Sequence, residues 1–212
     1  MTGGQQEGAG GVPPASSPRQ VPVWDPVVRA GHWVLAGGFA VAYLTGEDWA
    51  LAHVWVGYVV AATVALRLVW GVVGPRHARF SSFVTGPGAA ARYLFGLVTG
   101  RAPRHLGHSP AGGIMVLLLL AMLAATTVSG MALLAVEDHQ GPLAPSASVL
   151  GGASALAGDR GEHGEGVWEE VHALFANLTL ALVVLHICGV ALASLAHREN
   201  LLAALWSGRK RA

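Results

Sequence analysis

The sequence has little charge, one cysteine and almost no lysine. Charged residues make up 12% of its 212 residues, about half the share that is usual in a soluble globular domain. The single cysteine, Cys188, excludes an intramolecular disulfide framework and a cluster of cysteine metal ligands. Of thirteen basic residues only Lys210 is a lysine. The scarcity of charge argues against an ordinary soluble domain.

Apolar sequence is abundant instead, at 53% of the residues with a mean hydropathy of +0.50. A helix needs about 20 mostly apolar residues to cross a bilayer. Four stretches reach that length, which predicts an all-α membrane protein built as a four-helix transmembrane bundle. The predicted spans are roughly residues 27–45, 53–73, 112–136 and 168–196.

The segments outside the spans differ in composition. Residues 1–20 are rich in Gly, Pro, Ser and Gln and cannot bury enough apolar surface to fold. We interpret them as a disordered cytoplasmic tail that precedes one membrane domain at 21–211. Between the second and third spans, residues 87–98 mix Arg92 with aromatic and aliphatic residues. This segment is either a short helix in the membrane interface or an ordinary surface loop.

Basic and acidic residues are distributed unevenly about the predicted spans. Twelve of the thirteen basic residues fall on one side, and only Arg160 falls on the other. By the positive-inside rule, both termini are expected in the cytoplasm of a bacterium, with the chain crossing its inner membrane. The loop at about 137–167 then faces the periplasm. Nine acidic residues share the side of Arg160: Glu47, Asp48, Glu137, Asp138, Asp159, Glu162, Glu165, Glu169 and Glu170.

Four of the ten histidines fall in or at the ends of the predicted spans, namely His32, His53, His172 and His186. Ionisable side chains are costly in a membrane and usually face the bundle interior. His172 and His186 are fourteen residues apart on one helix, so they share a face and lie about 21 Å apart along the axis. The alternation of helix direction predicts that His32 matches the depth of His186, and His53 that of His172.

Two histidine pairs stacked across a bundle are typical of two bis-histidine b-type haems. Haem iron takes imidazole nitrogen as an axial ligand, and two such ligands favour electron transfer. A zinc or copper site would need three or four ligands converging on one ion, which two well-separated pairs cannot supply. Ordinary core histidines are one alternative. A transporter with a histidine-lined metal path is another, and the lack of carboxylates in the membrane interior of the spans disfavours it.

Three more residues are candidates for contact with a cofactor or substrate. Arg29, three residues before His32, and Arg67, at the depth of the cytoplasmic pair, could bind the carboxylates of haem propionates. Both could equally anchor their helices by snorkelling. His108, at the start of the third span, could exchange a proton with a quinone. Its alternative role is structural, as part of the capping sequence, with Ser109 and Pro110, at which that helix begins.

Six motifs in the chain are distinctive: VWDPVVRAGHW at 23–33, HVWVGY at 53–58, RLVWG at 67–71, GHSPAGGIMV at 107–116, TVSGMAL at 127–133 and VHALFANLTLALVVLHICGV at 171–190. They resemble the bacterial cytochrome b561 family, which includes the cytochrome b subunits of nickel-iron hydrogenases. The resemblance covers roughly residues 21–211. It implies a four-helix dihaem cytochrome whose axial ligands are His32, His53, His172 and His186. The acidic loop at 137–167 departs from the family pattern.

These observations predict an electron-transfer subunit of the respiratory chain, working between the membrane quinone pool and a periplasmic partner. The acidic loop favours a basic partner through electrostatic steering, with a small c-type cytochrome first and a hydrogenase or other oxidoreductase subunit second. The same acids could simply solvate the loop. An alternative function comes from the same family resemblance, since some members of the cytochrome b561 family oxidise superoxide and reduce quinone without a partner. A superoxide anion would need a positive site on the outer surface. That surface is acidic here, and its only candidate positive groups are Arg160, His139 and His163.

Overall fold

The structure, a computed structural model, describes residues 20–211 except 23, 47, 77, 106 and 157–164. Within these residues it has seven α-helices and one two-stranded sheet. The helices are α1 (Pro26–Thr45), α2 (Ala50–Val73), α3 (Pro87–Val98), α4 (Pro110–Glu137), α5 (Ala147–Leu156), α6 (Glu165–His197) and α7 (Leu201–Ser207). The strands are β1 (Gln20–Pro22) and β2 (Arg209–Arg211), and 3₁₀ turns lie at Phe80–Ser82 and Ala144–Ser146.

Some predicted features fall outside the described residues. They include nearly all of the predicted disordered tail and several charged or titratable residues of the outer side: Glu47, Asp159, Arg160, Glu162 and His163.

Four helices are long and apolar enough to cross a membrane: Pro26–Thr45, Ala50–Val73, Pro110–Glu137 and Gly166–His197. Each predicted span corresponds to one of these helices, and each predicted end lies within three residues of the observed helix end. Two of the starts are fixed by capping, which satisfies amide groups that a helix leaves unpaired. The Asp25 carboxylate accepts from the amides of Val27 and Val28, and the Ser109 hydroxyl accepts from that of Gly112.

The bundle packs α4 against α6, α1 against α2, and α2 against α4. Phe39, Val60, Val64 and Leu123 form the buried core between these helices. Many large apolar side chains point outward instead, among them Leu44 at 80% exposure and Leu195 at 77%. An apolar outer surface of this kind suits lipid rather than water as the surrounding solvent. The chain is therefore an all-α membrane bundle.

Residues 87–98 form a helix and not an irregular loop. Ala90, Tyr93 and Leu97 are buried on one face of α3, while Leu94 and Phe95 are exposed on another. This amphipathic pattern, with a proline at the first helical turn, is the one expected of a helix resting on a larger apolar body.

Both ends of the described chain lie at the same end of the bundle. Strands β1 and β2 pair antiparallel, with Val21 opposite Lys210, and the Trp24 amide donates to the Gly208 carbonyl at 3.2 Å. We call this the terminal end. The opposite end, where α1 turns into α2 and where α4 leads into α5, is called the loop end.

Candidate functional site

His32 on α1 and His186 on α6 face each other toward the terminal end of the bundle. Their ring centroids are 6.4 Å apart, with an angle of 53° between the ring planes. The Nδ1 atom of His32 is buried and has no hydrogen-bond partner among the described residues. These two residues are called the terminal pair.

His53 on α2 and His172 on α6 meet in the same way at the loop end. Their centroids are 5.9 Å apart and their planes are perpendicular, at 90°. Depth alone predicted which histidines would meet, and both pairings are confirmed. His53 and His172 are called the loop pair.

Main-chain carbonyls fix the orientation of both rings of the loop pair. His53 Nδ1 lies 2.8 Å from the Ala42 carbonyl oxygen, and His172 Nδ1 lies 3.0 Å from that of Thr126. A carbonyl oxygen can only accept, so each Nδ1 carries the proton and donates it. The Nε2 atom of each ring is consequently left unprotonated, in the state that can ligate a metal.

Glycines and apolar residues surround the loop pair. A cavity bordered by His53, His172, Gly57, Gly130 and Tyr43 contains about 670 Å³ of space not filled by protein atoms, part of it open to the surroundings. A side chain at residue 130 would intrude on the ring, because a Cβ added there would lie 2.9 Å from His172 Cε1. A Cβ at Gly57 would meet nothing within 4 Å.

The spacing of both pairs fits one iron held between two imidazoles. A metal ion held between two imidazoles lies about 2 Å from a nitrogen of each ring, so the two ring centres must lie only a few ångströms apart with room for one ion between them. The observed separations are 6.4 and 5.9 Å. Within the described ranges, no three His, Cys, Asp or Glu residues group closely enough to hold a metal ion. The residues present therefore fit a haem iron, which the two histidines of each pair would hold.

Arg67 is a buried cation on α2, with only 9% of its surface exposed. Its guanidinium carbon lies 4.8 Å from the centre of the Phe80 ring. One terminal nitrogen, Nη1, is buried and has no partner in the part of the chain that the structure describes. A buried donor without an acceptor is costly, so Arg67 suits an anionic group such as a haem propionate.

Arg29 has protein partners of its own. Its Nε donates to the Leu205 carbonyl at 2.8 Å, and one of its terminal nitrogens donates to the carbonyl of Trp206. Both acceptors are at the C-terminal end of α7, where helix carbonyls lack partners and attract cations. The structure thus gives Arg29 a tethering contact that the sequence did not reveal. Its predicted contact with a propionate stays a prediction.

His108 lies between two aromatic side chains at the start of α4. Its ring centroid is 4.7 Å from that of Trp24, edge to face, and 4.2 Å from that of Phe83. The neighbouring Ser109 caps the helix, so this segment also has the structural role of beginning α4. The quinone role of His108 stays a prediction.

A second group of titratable residues was not singled out from the sequence. The Tyr93 hydroxyl lies 3.2 Å from His197 Nε2, and the Tyr93 ring is 5.5 Å from that of His105. The three residues come from α3, the α3–α4 connection and the end of α6. Because their sequence separations follow no helical period, only the tertiary structure brings them together.

A comparison with protein-family models matches residues 23–208 to prokaryotic cytochrome b561. The match spans all four membrane helices and both histidine pairs. The chain has no match among the curated proteins or the solved structures that were compared.

Proposed function

Because the chain belongs to the prokaryotic cytochrome b561 family and is therefore a membrane cytochrome b of electron transfer that binds haem b, we propose that it holds two haems. In this proposal His32 and His186 ligate one iron, and His53 and His172 ligate the other. The observation that carries the proposal is the presence of two separate histidine pairs, with centroids 6.4 and 5.9 Å apart. In each pair the two rings are close enough for one iron to be held between them.

Bound haem b would supply a reversible one-electron couple, and the two histidines of each pair would hold its iron. The chain supplies the positioning. The carbonyls of Ala42 and Thr126 hold the loop pair in one tautomer, a role that outer hydrogen bonds commonly serve for ligating histidines. Arg67 would neutralise a propionate at the terminal site, where its Nη1 is otherwise unpartnered among the described residues. Rings held in this way would keep one orientation towards a bound group.

We place the terminal end in the cytoplasm and the loop end in the periplasm, with the bundle in the bacterial inner membrane. The positive-inside rule supports this orientation, because Arg76, Arg79 and Arg104 follow α2 while acidic residues lie at the loop end. Asp138, Glu169 and Glu170 are exposed there. A basic periplasmic protein would be attracted to this surface, which favours a small c-type cytochrome over a hydrogenase subunit as the partner.

At the terminal end we propose exchange with the membrane quinone pool. Quinone reduction requires protons as well as electrons, and a histidine is suited to deliver them near neutral pH. His108 is the candidate, since its ring lies at the terminal-end start of α4 against Trp24 and Phe83. Flat aromatic rings of this kind also suit the stacking of a quinone head group.

The visible spectrum of the purified full chain tests the proposal. The expected result is a reduced-minus-oxidised spectrum of b-type haem, with pyridine haemochrome analysis giving two haems for each chain. One haem for each chain would contradict the proposal of two sites. A protein that binds no haem but takes up divalent metal into vesicles would support the transporter instead.

A further inference from the structure

A cavity lies beside α3 at the terminal end of the bundle. It contains about 400 Å³ of space not filled by protein atoms, part of it open to the surroundings, a size found among small-molecule sites. Its lining combines one arginine with aromatic and apolar surface: Ala89, Arg92, Tyr93, Pro103, His105 and Pro110. A ligand that fits this cavity would therefore carry negative charge beside an apolar part.

Arg92 is the cation of this cavity, and its charge is not neutralised by the protein. Its side chain is exposed and forms no ion pair among the described residues. Arg104, in the connection from α3 to α4, is by contrast paired with Glu199. The sequence has no Asp or Glu at all between residues 49 and 136. An anion from outside the chain would supply the missing charge.

Hydrogen bonds hold the two ring residues of the cavity. The Tyr93 hydroxyl lies 3.2 Å from His197 Nε2, and Tyr93 is only 7% exposed. His105 Nδ1 lies 2.9 Å from the Pro103 carbonyl oxygen, to which it donates. The centre of the His105 ring is 5.5 Å from that of Tyr93. This wall of the cavity is thus fixed before any ligand arrives.

The exposed face of α3 beside the cavity is apolar. Leu94, Phe95 and Val98 are 50%, 74% and 77% exposed. Phe95 follows Arg92 by three residues, so the two side chains are neighbours on the helix surface. In the chain, α3 lies between the end of one membrane helix, α2, and the start of another, α4. An amphipathic helix in that position suits the membrane interface.

From these features we propose that the cavity binds the phosphate head group of an anionic phospholipid, with the acyl chains against Phe95 and Val98. Arginine binds phosphate through paired, charge-assisted hydrogen bonds. Basic pockets on the cytoplasmic side of membrane helices suit anionic head groups, and the arginine distribution places the terminal end on that side. The apolar face favours a lipid over a free anion. The bound lipid would hold α3 at the membrane surface, and this site is independent of haem ligation.

Native mass spectrometry of the full chain in detergent tests the site. The protein is stripped of lipid, and phosphatidylglycerol or phosphatidylcholine is then added over a series of concentrations. The unaltered chain should bind phosphatidylglycerol more tightly than phosphatidylcholine. Arg92→Gln should weaken the binding of phosphatidylglycerol about tenfold, and Arg92→Lys should weaken it less. Arg76→Gln is the matched control, since Arg76 is exposed at the same end of the bundle and should bind as the unaltered chain does.

A second variant tests the cavity without a change of charge. Ala89→Leu adds apolar volume to the lining and should also weaken the binding of phosphatidylglycerol. Equal binding of the two lipids, unchanged binding in the Arg92→Gln protein, or an equal loss in the Arg76→Gln control would overturn the proposal. Displacement of phosphatidylglycerol by an equal concentration of inorganic phosphate would also overturn it, because the cavity would then be a site for a free anion. A chain that binds this lipid but no haem would overturn only the proposed function.

Discussion

A Cβ atom at residue 130 would lie 2.9 Å from Cε1 of His172 and 3.1 Å from its Nδ1. Gly130 on α4 is therefore the position at which the backbone comes close to the loop-pair ring on α6. The close approach lets the Thr126 carbonyl reach His172 Nδ1 at 3.0 Å. Gly130, which has no side chain, thus helps to position the His172 ring.

We predict that Gly130→Ala selectively impairs the loop site. The added methyl group has to displace the His172 ring by several tenths of an ångström, since real Cβ contacts below 3.0 Å are essentially never seen. In a membrane helix, glycine commonly serves such close approaches. Pyridine haemochrome analysis should show about half of the wild-type haem content, with the terminal site retained.

The control for this change is Gly37→Ala on α1, where an added Cβ would meet nothing within 4 Å. It should leave the haem content at the wild-type level. Full haem content and unchanged midpoints in the Gly130→Ala protein would show that the ring is not constrained by α4.

We predict that Arg29→Ala loosens the C-terminal segment without removing a haem ligand. The change deletes the donors to the carbonyls of Leu205 and Trp206. A hydrogen bond from a charged group contributes about 1.5–3 kcal/mol to local stability. Hydrogen exchange of the α7 amides should accelerate, while Arg76→Ala, which removes an exposed arginine, should leave it unchanged. Loss of haem from the Arg29→Ala protein with unaltered α7 exchange would favour the propionate role instead.

We predict that acidic residues at the loop end set the rate of electron exchange with a basic c-type cytochrome. Glu169 and Glu170 are exposed at the start of α6, and Glu162 and Glu165 precede them in the sequence. Replacing all four with Gln should slow exchange at low salt, because steering by exposed charges acts over about 8–10 Å at physiological ionic strength.

Stopped-flow absorbance over a series of salt concentrations measures this effect. The difference between the two proteins should disappear at high salt, where the charges are screened. The Glu7→Gln chain is a control, as Glu7 lies in the N-terminal segment away from these residues in the sequence. A rate that depends on neither salt nor the four substitutions would leave the acids with a solvating role only.

The sequence was sufficient to predict the spans and the histidine pairing, because both depend on quantities that repeat along a helix. Span length follows from apolar runs, and the depths of His32 and His172 follow from their distances to the helix ends. Helix α3 was predicted only as one of two alternatives, since twelve amphipathic residues also suit a surface loop.

Contacts between segments distant in the sequence could not be predicted from quantities that repeat along one helix. The tether from Arg29 to Leu205 joins residues 176 positions apart, and the ring packing of His108 on Trp24 depends on how α4 meets the start of α1. The Ser129 contact with His172 depends on the rotation of α4 relative to α6. The periodicity of a single helix does not predict any of these three contacts.

The central claim is that the two haems are held by the histidine pairs that the bundle brings together. Haem content and potentiometry of four single variants test it most directly: His32→Ala, His53→Ala, His172→Ala and His186→Ala. A suitable control is His197→Ala, which removes a histidine of α6 that contacts Tyr93 and belongs to neither pair.

Each of the four variants should retain one haem of the two, and the control should retain both. His32→Ala and His186→Ala should lose the same midpoint, and His53→Ala and His172→Ala should lose the other, because each change would remove one of the two proposed ligands of a single iron. The loss of the same midpoint from His32→Ala and His53→Ala would contradict the account.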